Sequence, residues 1–99
     1  MYLIRDIMYC KPGQVRPMVD KFKQMNKVMK KMGFAPARVL TDVSAERYWT
    51  VVAETEVDDM GAYTEMSRQT MTDKNMQKVM KDYHNLVESG RREIYMIEG

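Results

Sequence analysis

The 99-residue chain has one cysteine, one histidine and one tryptophan. A lone Cys10 can form no intramolecular disulfide and no cysteine metal cluster. With His84 as the sole histidine, a three-histidine or two-histidine-one-carboxylate metal site within one chain lacks its ligands. Sixteen Lys and Arg against fourteen Asp and Glu leave a net charge of +2, too little for the broad basic field of a nucleic-acid binder. No apolar run approaches the roughly 20 residues of a membrane span. The chain opens directly into Tyr2-Leu3-Ile4, without a charged n-region, an apolar h-region or a cleavage site, so a reduced, cytoplasmic setting is expected. GxGxxG, P-loop, GxSxG and HExxH are all missing, which removes the usual signatures of nucleotide binding and hydrolysis.

What is there is ordinary for a globular protein: 30% charged and 44% hydrophobic residues, with no low-complexity tract and no solenoid repeat. Residues 1–99 read as one domain, large enough for a core but small enough to gain from a partner. Twelve methionines against three leucines stand out. Met at helical spacing is a flexible substitute for Leu in a core. The alternative is an adaptable ligand surface or a soft-metal site, although copper would want Met clustered with His or Cys.

Periodicity orders the chain. Residues 2–10 alternate as a strand, with Tyr2, Ile4, Asp6, Met8 and Cys10 on one face and Leu3, Arg5, Ile7 and Tyr9 on the other. Apolar side chains on both faces imply that neither is simply solvated. Lys11-Pro12-Gly13 turns the chain, and Gly13 is the expected helix N-cap. Over residues 14–32, Val15, Met18, Val19, Phe22, Met25, Met29 and Met32 form a helical stripe, ended by Gly33 as a left-handed cap. Between residues 21 and 38 there is no acid; the lysines there are spread round the helix without interleaved aromatics and read as a solvated face. Residues 35–43 and 47–57 read as an antiparallel hairpin joined through Ser44-Ala45-Glu46. Asp58 or Asp59 caps a second helix from Met60 that breaks near residues 70–73, with Thr72 as a fresh cap. Met76, Val79, Met80, Tyr83 and Val87 continue its stripe until Ser89-Gly90, and residues 91–98 give the last strand.

This is a ferredoxin-like α+β order, βαββαβ, with a four-stranded antiparallel sheet. The Lys11-Pro12-Gly13 turn, the 35–57 hairpin and the broken second helix ending in Leu86-Val87-Glu88-Ser89-Gly90-Arg91-Arg92-Glu93 resemble the dimeric α/β-barrel superfamily. Within it the chain is most similar to NIPSNAP-like and antibiotic-biosynthesis-monooxygenase-like proteins. The resemblance implies a homodimer that pairs sheet to sheet into a barrel, with a small-molecule pocket between helices and sheet in each subunit. It also implies a choice among cofactor-independent monooxygenases, haem-degrading enzymes, lactone isomerases and non-catalytic proteins. Haem degradation is disfavoured: Asp6 stands at the family's Asn position, Met66 falls near its Trp position, and His84 comes later than its His. No cofactor is therefore expected.

Five residues are candidates for a site. Asp6, a carboxylate inside a two-sided apolar strand, must be paired or have its protonation altered. It is either a base for cofactor-independent oxygenation or isomerisation of a small aromatic or cyclic compound, or the partner of Arg47, Arg91 or Arg92 in an ion pair. His84 is a general base, a ligand or a helix-end cation that Glu88 pairs. Trp49, Tyr63 and Tyr83 either wall a substrate pocket or belong to a core or interface.

Overall fold

In the computed structural model, which describes residues 1–99, the chain runs β1 (Tyr2–Cys10), α1 (Val15–Lys31), β2 (Arg38–Thr41), β3 (Thr50–Val57), α2 (Met60–Thr72), α3 (Lys74–Val79), α4 (Tyr83–Leu86) and β4 (Val87–Met96). The strands form one antiparallel sheet in the order β2-β3-β1-β4, so the most apolar strand, β1, lies at its centre. The sheet is four-stranded and ferredoxin-like, as the sequence pattern implies. With a shortest extent of 17 Å, the molecule is two layers thick: sheet and helices.

The helix stripe of α1 packs on the inner face of the sheet. Met18 is fully buried, and with Val19 and Phe22 it meets Met8, Cys10, Val51 and Ala53 in one core cluster. Gly33 adopts φ +86° beyond the end of α1, where its N–H donates to Lys30 O at 3.1 Å and that of Phe34 donates to Met29 O at 2.9 Å. Together these are a Schellman closure, the left-handed cap the sequence implies. Gly13 is not the N-cap. It takes φ +80° after Pro12 in a turn closed by Gln14 N–H on Lys11 O at 3.0 Å, and Gln14 caps α1.

The hairpin is shorter than its sequence pattern. The Asn26 side chain of α1 grips both main-chain groups of Ala37, donating to its O at 2.8 Å and accepting from its N at 2.9 Å, so pairing starts only at Arg38. At the other end Trp49 sits at φ +63°, and the Asp42 carboxylate takes the Thr50 N–H at 2.9 Å. Residues 42–49 thus form a loop rather than the ends of two strands.

The second helical region is in three pieces. Asp59 caps α2, accepting from Gly61 N at 3.0 Å. The chain turns extended at Asp73, whose carboxylate accepts from Met76 N at 2.9 Å and caps α3. Thr72 is therefore not the cap; its hydroxyl bonds back to Arg68 O and Gln69 O. Replacing Asp73 by alanine is expected to cost about 1 kcal/mol in urea denaturation, the usual value of an N-cap; an unchanged midpoint would show α3 to be held by packing alone. The stripe also ends sooner than its spacing implies. Val87 already pairs with Cys10, and Ser89 and Gly90 lie inside β4 opposite Tyr9 and Met8.

The outer face of the sheet is neither bare nor simply polar. A row of alternating charge crosses all four strands. Arg38 lies 2.6 Å from Glu54, Glu54 lies 2.9 Å from Arg5, Arg5 lies 3.5 Å from Glu93, and Glu93 lies 3.2 Å from Arg91. Beside this row lie Leu3, Ile7, Tyr9, Leu40, Val52 and Tyr95, the partners in register on that face. The Arg47 guanidinium covers the Tyr9 ring at 4.2 Å from its centroid, and Arg91 donates to the Tyr9 hydroxyl.

Candidate functional site

A cavity of about 640 Å³ opens between the inner face of the sheet and the helices. The sheet contributes Asp6, Met8, Ala53, Thr55 and Arg92; α1 contributes Phe22, Met25, Asn26 and Met29. The far wall is Tyr63, Met66, Ser67, Thr70 and Met71 of α2, with Met76, Met80 and Tyr83 closing one end. None of the 13 residues of α2 is buried, so this helix stands over the cavity rather than filling it. Seven of the twelve methionines line the space: Met8, Met25, Met29, Met66, Met71, Met76 and Met80. The two roles weighed for these residues meet here, since Met8, Met29 and Met76 are also buried. Unbranched thioethers give such a wall many low-energy shapes.

One ion pair stands in this apolar surface. Antiparallel register sets Asp6 of β1 directly opposite Arg92 of β4, and Arg92 Nε donates to Asp6 Oδ1 at 2.6 Å. Both side chains remain partly accessible, 34% for Asp6 and 51% for Arg92. The hydrogen bond to Asp6 is the main cause holding Arg92 above the ordinary guanidinium pKa, against a smaller loss from burial. Arg92 also lies 5.7 Å from the Tyr63 ring centroid, within range of a cation–π attraction. Burial pushes the Tyr63 phenol up, with Arg92 acting in the opposite sense. The Tyr83 phenol is likewise pushed up, first by burial and then by the negative charge of Asp6. Both phenols therefore stay protonated at neutral pH, each with an O–H free to donate.

Of the five sequence candidates, the fold brings Asp6, Tyr63 and Tyr83 to the cavity and leaves two outside. His84 is exposed, its ring edge-on to Tyr83 at 5.4 Å between centroids. It follows Tyr83 in the single turn of α4, and neighbouring helical residues point roughly 100° apart. With Tyr83 turned inward, His84 faces water. Trp49 is absent from the cavity wall: its left-handed backbone immediately precedes β3, its carbonyl accepts Cys10 N–H at 2.8 Å, and its side chain is 44% exposed. Sequence reasoning named Arg92 only as one of three possible partners for Asp6 and did not assign the methionines to a ligand wall. The signal for Arg92 was register: Asp6 meets it because β1 and β4 pair from Tyr2 opposite Met96 onward.

No family model matches the chain, and no curated protein matches it. Solved structures do match by fold. An uncharacterised NIPSNAP domain protein from Burkholderia xenovorans superposes with a TM-score of 0.81 at 14% identity, covering 99% of this chain and 95% of its own. A NIPSNAP family protein from Agrobacterium tumefaciens gives a TM-score of 0.82 at 10% identity, covering 96% and 90%. A protein described as an antibiotic biosynthesis monooxygenase gives 0.71 at 9% identity, covering 100% of both chains. The chain thus has a ferredoxin-like α+β fold. More narrowly, it is the form of that fold found in NIPSNAP and antibiotic-biosynthesis-monooxygenase-like structures, as its turn and helix patterns implied.

Proposed function

We propose that this protein is a homodimer that takes up a small, mainly apolar molecule in the cavity between its sheet and helices. The observation that carries the reading is the cavity itself, of a size suited to a small organic ligand and walled by thioethers around a single ion pair. Dimerisation is supported by the outer face, where Leu40 and Tyr95 remain 36% and 49% exposed on the same side as the paired charge row. Charges already matched within one chain cost less to cover than unmatched ones. Native mass spectrometry tests both parts together. The expected species is a dimer of the 11.7 kDa chain carrying a small molecule that is lost in a Met66→Trp variant, whose indole fills the cavity. A bare monomer in both proteins contradicts the reading.

A second reading, catalysis, draws on Asp6. Its Oδ1 is engaged by Arg92 while Oδ2 is not, which leaves one oxygen to accept a proton from a phenol or enol held against Tyr63 and Tyr83. Cofactor-independent oxygenation or isomerisation of a small aromatic or cyclic compound would follow from that step. If so, Asp6→Asn lowers oxygen uptake with phenolic or quinol compounds by about a hundredfold or more. Unchanged turnover in the variant removes Asp6 as the base.

A further inference from the structure

The polar groups of the cavity wall are unequal in kind. Arg92 donates to protein only through Nε, and its two Nη groups donate to no protein oxygen. Tyr63 and Tyr83 share the wall, and neither hydroxyl is bonded to a protein acceptor. Burial keeps both phenols in the protonated, donating form. The second oxygen of Asp6 is the one anionic acceptor facing this cluster. Asn26 is not available to a ligand, since both ends of its amide are bonded to Ala37. Among these charged and phenolic groups donors thus outnumber acceptors, and the remainder of the wall is mostly thioether, phenyl and methyl surface, with Thr55, Ser67, Thr70 and Gln77 as its neutral polar groups. A guanidinium with a free pair of N–H groups is the side chain best shaped to receive two oxygens at once.

We infer that the molecule taken up is an amphiphilic carboxylate, its flexible apolar body lying among the methionines and its carboxylate received by the free edge of Arg92. This rests on the cavity being a binding site, as proposed above. Arg92 makes the charge-assisted contact, Tyr63 and Tyr83 offer neutral donors, and the methionines adapt to the chain. Asp6 has an opposing role. It competes with the ligand's carboxylate for the same guanidinium, and its negative charge repels the incoming anion. The site therefore contains its own brake, and removing the Asp6 charge while keeping its shape should strengthen binding.

Calorimetric titration of the full chain with octanoate and with 1-octanol, which share a body and differ in the head, tests the assignment. Octanoate is expected to bind about tenfold or more tightly than octanol, the usual gain from a charge-assisted contact. Asp6→Asn should tighten octanoate several-fold and leave octanol unchanged, and Arg92→Gln should reduce octanoate to the level of octanol. Should Arg92→Gln lose its fold by circular dichroism, the opposite response of octanoate in Asp6→Asn still decides the matter. Octanol binding as tightly as octanoate overturns the carboxylate assignment and leaves the cavity reading standing. Failure of both ligands to bind overturns the assignment and counts against the cavity reading as well.

Discussion

Replacing Met18 by alanine lowers the stability of the fold by about 3 kcal/mol, within the range for truncating a buried large side chain. Met18 has no exposed surface and lies on the stripe of α1, in the cluster that joins Phe22 to Met8, Cys10 and Val51 of the sheet. Deleting its thioether loses the transfer energy of the buried atoms. The space left behind faces a strand pair held by backbone hydrogen bonds, so it closes only partly. Chemical denaturation should show a lower midpoint with an unchanged slope, because the surface exposed on unfolding is the same. For a chain of this size the loss is a large share of a total that typically lies near 5–15 kcal/mol. Met18→Leu, nearly equal in volume, should cost less than about 1.5 kcal/mol. An alanine variant that loses under about 1 kcal/mol would show that α1 does not rest on the sheet as described.

Val52→Asp should convert the protein from dimer to monomer at micromolar concentration. Val52 lies on the outer face between Ile7 of β1 and Leu40 of β2, in the middle of the apolar surface proposed to meet a second sheet. A new carboxylate there would face its symmetry mate or an apolar neighbour across the interface. Breaking charge balance in a covered site costs several kcal/mol, enough to shift association by orders of magnitude. The inner core is on the opposite face, so the monomer should remain folded. Sedimentation reads the outcome directly. A variant that sediments like wild type, whether both are dimers or both monomers, contradicts the placement of the interface on this face.

The parts of the fold that were legible in the sequence are those where burial repeats with a period. The apolar stripe of α1 and the two-sided alternation of β1 have counterparts in the structure at nearly the same residues, because helix and strand geometry impose those spacings on any buried face. Illegible were the places where one side chain overrides the pattern. Val87 keeps the helical spacing of Met80 and Tyr83, yet it belongs to β4, whose opening residues Val87-Glu88-Ser89-Gly90 have little strand character and are held by pairing with β1. Likewise β2 starts late because the Asn26 amide claims the backbone of Ala37, a contact between residues 11 positions apart that no local pattern displays.

The candidate site follows the same division. Asp6 was conspicuous as a charge among apolar neighbours, Tyr83 as an aromatic on the stripe of the second helical region, and Tyr63 as an aromatic suited to a pocket wall. The choice of Arg92 over Arg47 and Arg91 depended on the register of β4 against β1, which sets Arg92 opposite Asp6 and Arg91 opposite Ile7. Arg91, one residue away, points to the other face and bonds Tyr9 and Glu93 instead. Trp49 and His84 were attractive by residue type alone, and backbone geometry turned both away from the cavity. The methionines were visible as a count, but their convergence on one cavity required four separate elements to be placed in space.

The measurement that tests the central claim most directly is a crystal structure of protein purified from its own host, inspected between the sheet and α2. The account requires density for a small molecule bordered by Arg92, Tyr63 and the methionines of α1 and α2. A cavity closed by inward rotation of Met66, Met71 and Tyr63 against Met8, with no room for a ligand, would contradict it and leave a structural dimer or monomer as the reading.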